Sequence, residues 1–307
     1  MHKIIIDTDI GVDDAFALRY GSLLFDLIGI TTVAGNVPVD MATKNAKFFC
    51  KIYKKNIKVY KGASRPLSIK PTPPSFDIHG SDGLGQAYEN PCDAKADNAV
   101  NFIIESVKRA PGEITVIAIG PLTNIAMVLN LYPDFAKEVK ELIIMGGAFG
   151  THGHTGNMSN FAEFNVFKDP NAADLVLSSS TPITIVPLDV TNEVQITADE
   201  IQKTHDDFLI NISKFYLDFS IKQKGFNGMA VHDALTIAYL KNPDNFKVIK
   251  KPCRVITEGI AAGQTVIPLS AALSSNNCFK DLTAHKICID VNADAVKQDL
   301  LKTLTLD

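Results

Sequence analysis

The chain is expected to fold as an α/β protein, an open and mostly parallel, Rossmann-like sheet flanked by helices. Two observations predict it: short apolar runs rich in β-branched residues alternate with longer segments of helical period, and Asp, Asn and Gly gather just beyond the ends of those runs. Ligands of open α/β sheets bind outside the carboxyl ends of the strands, so those residues are the first candidates for a site.

The elements follow in order. Lys3 to Ile6 reads as the first strand, and the helix after it places Phe16, Ala17, Tyr20, Leu23 and Leu24 along one face. Leu27 to Ala34 is the second strand, followed by a helix from about Asp40 to Tyr53, and Ile57 to Tyr60 is the third. The stretch from Ser64 to Pro91, with five prolines plus His79, Gly80, Gly83 and Gly85, is long for a connection and reads as a functional loop. Further strands are Ile114 to Ile119, Glu141 to Met145, Ile183 to Pro187 and Ile287 to Val291, with helices after Asp97, Leu122 and Asp169. A mainly helical insertion is expected near residues 191–231, within a single domain spanning 1–307. Phe48, Phe49, Phe102 and Phe215, at helical spacing, read as core.

Composition narrows the class. With 46% hydrophobic and 21% charged residues, the chain is ordinary for a soluble globular protein rather than a disordered one. A net charge of −4 with scattered Lys and Arg lacks the basic footprint of a nucleic-acid binder. The amino terminus carries three consecutive Ile before four acids arrive, too short and too charged for a signal peptide or membrane span, so a cytoplasmic location is the default. Five widely separated Cys with no C-x-x-C pair read as reduced, buried thiols.

Asp7-Thr-Asp-Ile-Gly-Val-Asp-Asp14 sets four carboxylates in eight residues just past the first strand. One acid there caps the following helix, but a cap does not need four. Hard oxygen donors in this number suit Ca²⁺ or Mg²⁺, and Gly11 lets the backbone turn so that residues on either side face one centre.

This segment resembles the amino-terminal signature of the inosine-uridine-preferring nucleoside hydrolase family. Further blocks agree in order: Thr31-Thr-Val-Ala-Gly-Asn36, Ile78-His-Gly-Ser-Asp-Gly-Leu-Gly85, Gly120-Pro-Leu-Thr-Asn-Ile-Ala126, Met145-Gly-Gly147, Ala162-Glu-Phe-Asn165, Asp169-Pro170 and Val231-His-Asp233. The likeness fades beyond Lys241, and Ala234 stands where family members commonly have Pro.

The resemblance implies calcium-dependent hydrolysis of the N-glycosidic bond of a small-molecule ribonucleoside. Asp9, Asp14 and Asp233 would give carboxylate oxygens to Ca²⁺ and Ile119 its backbone carbonyl, with Asp7 orienting the ligands from behind. Asp9 would also act as general base, and His232, beside Asp233, would donate a proton to the departing base. Asp13, Asn36, Asn157, Glu163 and Asn165 would bond ribose hydroxyls, Met145 and Phe164 would pack near the sugar, and His79 would lie close to base or sugar. Base neighbours are expected around Tyr216, Phe226 and Asn227; His152 and His154 have no assigned task beyond access. A homodimer or homotetramer is implied, with no membrane or nucleic-acid partner.

Two other readings compete. Ile-Ile-Ile-Asp-x-Asp also looks like the nucleophile motif of haloacid-dehalogenase phosphohydrolases, but leaves Asp13, Asp14 and the His232-Asp233 pair unexplained. A noncatalytic nucleoside or ribose binder would retain the same cage without turnover.

Overall fold

The computed structural model describes residues 1–268 and 277–305. Strand β1 (Lys3–Thr8) is buried on both faces: Ile4 and Ile6 enter one core, Ile5 the other. Burial on both faces is the mark of a strand inside a parallel sheet. Helix α1 (Val12–Leu24) follows with Phe16, Ala17 and Tyr20 buried, while Leu23 and Leu24 are half-buried at its end. Next come β2 (Asp26–Thr32), α2 (Val39–Ile52), β3 (Val59–Lys61), the short α3 (Phe76–His79) and β4 (Asp97–Asn98). Asn98 caps α4 (Ala99–Arg109) by accepting from the Asn101 amide, and β5 (Ile114–Ala118) is wholly buried.

The chain continues through α5 (Thr123–Leu131), α6 (Phe135–Glu138), β6 (Glu141–Met145), α7 (Phe164–Lys168), α8 (Pro170–Leu177), β7 (Ile183–Val186) and α9 (Leu188–Thr191). The expected insertion is helical in α10 (Ala198–Gln202) and α11 (Asp207–Lys224), but its base is an antiparallel ribbon of β8 (Gln195–Thr197) and β9 (Gly228–Ala230). After α12 (Ala234–Lys241) come β10 (Phe246–Lys251), the small pair β11 (Arg254–Val255) and β12 (Thr265–Val266), then β13 (His285–Val291) and α13 (Ala293–Leu304).

Nine strands form one sheet in the order β10-β13-β7-β6-β5-β1-β2-β3-β4, parallel throughout except for the antiparallel pairing of β10 with β13. From β1 the chain winds one way through β2, β3 and β4, and from β5 the other way through β6 and β7. The switch falls between β1 and β5, where Asp7 pairs with Thr31 on one side and Ala118 on the other. A crevice at such a point is where ligands of this architecture bind.

The expected strands are all present, with small boundary shifts; β4 and β10 of the large sheet and the short β8, β9, β11 and β12 have no counterpart in the sequence pattern. Phe48 and Phe49 are core as expected, whereas Phe215 is half-buried, and Phe102, also half-buried, stacks on Tyr60 with ring centroids 3.7 Å apart. Cys50, Cys253 and Cys288 are buried, Cys92 is half-buried, and Cys278 is exposed, contrary to the expectation for all five. No helix among the described residues is long and apolar enough to cross a membrane.

Because helices cover both faces, Ile5→Ala and Ile6→Ala should each destabilise the protein by about 2–5 kcal/mol in denaturant unfolding, the cost of emptying a core site. A near-zero effect of either would mean that its face of the sheet is not packed.

Candidate active site

The carboxyl ends of β1, β2, β5 and β6 converge on buried acids. Asp7 is fully buried; its Oδ1 accepts from Thr31 Oγ1 at 2.5 Å and Asn124 Nδ2 at 2.8 Å, while Oδ2 has no hydrogen-bond partner. Asp9, also fully buried, accepts the Asn36 amide on Oδ2 at 2.6 Å, leaving Oδ1 without a partner. Two glycines make room for that carboxylate: a Cβ on Gly35 would lie 2.0 Å from Asp9 Oδ2, and one on Gly120 2.9 Å from Oδ1. Asp14, in the first turn of α1, accepts from Thr8 Oγ1 at 2.5 Å, the Gly11 amide at 2.7 Å and Asn36 Nδ2 at 3.2 Å.

Asp13, Asp14 and Asp233 bring one carboxylate oxygen each within 4.8 Å of one another, all three buried. Two of the expected side-chain ligands, Asp14 and Asp233, are in this group. Asp13 joins the threesome, whereas Asp9 stands beside it with Oδ2 on the Asn36 amide.

Burial raises the proton affinity of the whole group. It pushes Asp7 up to about 7, and, reinforced by the Asp14 charge, Asp13 up to about 8. Asp9 and Asp233 are held well above the usual carboxylate range by burial first and by neighbouring carboxylates second. A positive charge among them would reverse this, since opposite charge favours the ionised form. Hard oxygen donors, among them Asp9 Oδ1, buried without a hydrogen-bond partner, fit a divalent cation.

Beside the acids opens a cleft of about 380 Å³. On one wall Glu163 caps α7, accepting the amides of Asn165, Val166 and Gly147 at 2.8–3.1 Å, while burial pushes it up to about 7. Asn165 Nδ2 donates to the carbonyls of Ile119 at 3.0 Å and Met145 at 3.1 Å, and Asn157 Oδ1 accepts the Phe164 amide at 2.9 Å. All of these side chains line the cleft, with Asp13, Asn36 and Asp233 at its acidic end.

Two histidines face it. His79, expected in an open Gly-rich loop, is instead buried at the end of α3; its Nδ1 accepts the Val12 amide at 3.1 Å, which puts its proton on Nε2. Burial, with the nearby His232, pushes its pKa down to about 3, so it is neutral. His232 sits with Nδ1 2.7 Å from Thr191 Oγ1, immediately before Asp233. His152 and His154 lie elsewhere, near Asp290 and Glu193 respectively.

The cleft is also lined by Tyr216, Phe219 and Ser220 of α11, and by Ser75, Ile78, Met158 and Asn192. Of the three proposed base neighbours only Tyr216 is there. Phe226 packs where a Cβ on Gly228 would reach, and Asn227 is exposed. Thr31 and Asn124, which hold Asp7, fall inside motif blocks already singled out, so they were findable; Ser75, Met158, Asn192, Phe219 and Ser220 carried no local signal.

A mostly parallel sheet with a carboxylate-rich, cation-compatible cleft at its switch point defines an α/β protein of the Rossmann-like class with a ligand site at that cleft. Residues 4–298 match the family model for the inosine-uridine preferring nucleoside hydrolases, and the chain belongs to that family. It is 35% identical over 276 residues to a probable uridine nucleosidase 1 of Oryza sativa subsp. japonica, covering 86% of this chain and 84% of that one. It is 36% identical over 275 residues to the pyrimidine-specific ribonucleoside hydrolase RihB of Escherichia coli, covering 86% of each. A solved plant nucleoside hydrolase, the PpNRh1 enzyme, superposes with a TM-score of 0.92 at 30% identity, covering 100% of this chain and 99% of that one. The chain is therefore a nucleoside hydrolase, and the phosphohydrolase reading falls away.

The raised acids set a pH dependence. Without a cation, folded Asp7, Asp13 and Glu163 keep protons that the unfolded chain releases near its ordinary carboxylate values, about 4, so stability should fall as pH rises from about 4 to 8. Calorimetry in chelator should show the melting temperature dropping across that window, and excess divalent cation should remove most of the slope. A flat profile in chelator would mean that these acids are ionised without help.

Proposed function

We propose that the enzyme is calcium-dependent and cleaves the N-glycosidic bond of ribonucleosides with Asp9 as general base. The observation that carries this is the buried, unpartnered Asp9 Oδ1 beside the Asp13, Asp14 and Asp233 cluster. Asp9, Asp14, Asp233 and the Ile119 carbonyl are the proposed ion ligands. They suit Ca²⁺, which takes six to eight oxygens in a flexible shell, better than Mg²⁺, which demands a small octahedron. When bound, such an ion supplies Lewis acidity that acidifies water and neutralises the carboxylates around it.

The chain's own groups do the rest. Asp9 accepts a proton from the water that attacks the anomeric carbon, and Asp7 steadies this end of the site from behind. Positive charge grows on the ribose as the bond to the base breaks. Asp13, Asn36, Asn157, Glu163 and Asn165 surround the sugar with oxygens that favour that state over the neutral substrate, and Met145 and Phe164 supply its apolar bed. His232, its Nδ1 engaged by Thr191, presents Nε2 to the leaving base as proton donor; His79 shares that end of the cleft.

Relatives named for uridine and for pyrimidines at 35–36% identity support a pyrimidine ribonucleoside as the leading substrate. The protein is read as one unit of residues 1–307 built on its single large sheet, working as a homodimer or homotetramer. Five free cysteines support a reducing, cytoplasmic setting.

Release of reducing sugar from uridine, cytidine, inosine, adenosine and guanosine, with and without a calcium chelator, tests the reading. Calcium-dependent release, greatest from uridine or cytidine, is expected; no release from any of the five with calcium present would overturn it. Asp9→Ala should lower kcat by at least the roughly 10² to 10⁴ ascribed to acid–base catalysis, and near-normal turnover would remove Asp9 from its role. His232→Ala should slow natural nucleosides far more than an activated nitrophenyl riboside. Equal losses on both would show that it does not protonate the leaving group.

A further inference from the structure

Lys168 is a buried charge that the chemistry above does not use. It ends α7, the helix that carries Phe164 and Asn165, and is only 6% exposed. Among the described residues it forms no ion pair with a carboxylate. Its ammonium instead donates to the carbonyl of Pro73 at 2.5 Å, with that of Thr72 at 3.5 Å, and sits 4.9 Å from the centre of the Phe164 ring. The next residue grips the same segment further upstream: Asp169 Oδ2 accepts the Leu67 amide at 2.9 Å and Thr123 Oγ1 at 2.7 Å.

The segment held this way is the strap 64–75, which has no regular secondary structure and leads directly into α3. Pro66, Pro71, Pro73 and Pro74 remove four of the strap's twelve amide hydrogens and none of its carbonyls, so it has more backbone acceptors than donors. A cation reaching up from the body is the partner such a segment can use. Packing between strap and body is incomplete, because a cavity of about 190 Å³ separates Pro66, Pro71 and Pro74 of the strap from Val37, Pro121 and Lys168. At the end of the strap, the Ser75 amide donates to the Asn36 carbonyl at 3.0 Å, and Ser75, Ile78 and His79 line the cleft.

We propose that Lys168 is a positioning residue, clamping the strap so that Ser75, Ile78 and His79 stay against the nucleoside while its charge fixes the Phe164 ring beneath the sugar. Burial disfavours the ammonium, and the Asp9 charge, with which it makes no contact, opposes that effect. The clamp acts on binding more than on proton transfer, since Lys168 reaches carbonyls and a ring rather than the reacting atoms. The inference rests on the cleft being the nucleoside site, but the strap's tethering can be read without activity.

The test uses Lys168→Met, with Lys168→Gln as a milder variant and Lys168→Arg as the conservative one. KM for the best nucleoside should rise roughly tenfold in Lys168→Met, the size expected when a charged donor no longer holds the bound form, while kcat changes much less. Thermolysin should cut the strap before Leu67, Ile69 or Phe76 faster than in the parent, whether or not the protein is active. Lys168→Arg should restore both readouts, and Lys168→Gln should fall between. An unchanged KM, unchanged strap cleavage, or an Arg variant as impaired as the Met variant would overturn the proposal.

Discussion

Gathering several carboxylates out of water at one point is the constraint around which the protein is organised. Each ionised acid held in the interior without compensation costs several kcal/mol, and neighbours of like charge add to it. The fold assembles partial compensation from neutral groups. The amino-terminal end of α1 and its amides receive Asp14, the Asn36 amide receives Asp9, and Thr31 with Asn124 receives Asp7. Asp9 Oδ1, beside the acidic cluster, is still left without a hydrogen-bond partner, an acceptor open to a cation.

The sheet's order explains how those groups meet. Because the chain reverses its winding between β1 and β5, the loops leaving these strands diverge and leave a crevice between them. The glycines at 35 and 120 line it for steric reasons, since any side chain there would strike the Asp9 carboxylate. Asp233 arrives from the far end of the chain, placed by the turn into α12, and brings His232 with it. Asp233 and the His232 imidazole are thus neighbours for one reason, the position of a single turn.

Much of this was legible in the sequence, for identifiable reasons. Strands buried on both faces leave continuous apolar runs, so β1, β2, β5, β6 and β7 stood out. β10 did not: Phe246–Lys251 mixes three lysines with apolar residues and pairs antiparallel at the border, so it lacks the interior pattern. β4 has two residues, too few for any period, and β8 finds β9 some thirty positions later. The acids were legible because they crowd one turn or recur in motif blocks. Ser75, Met158, Asn192, Phe219 and Ser220 meet only through tertiary packing, and nothing in their immediate neighbours marks them. The burial of His79 was also hidden, because Gly80, Gly83 and Gly85 read as an open loop whereas α3 and the Val12 amide hold the ring in place.

The borders of the sheet decide what the protein does not become. A long, flat, apolar edge strand is a template on which another chain can add, the first step toward a fibre. Here one border is β4, two residues long, and the other is β10, with Lys247, Lys250 and Lys251 exposed along it. A newcomer strand would find too little backbone at one side and repelling cations at the other. The interior can therefore be as rich in isoleucine and valine as a parallel sheet requires, while crowded solution offers that sheet no route to grow.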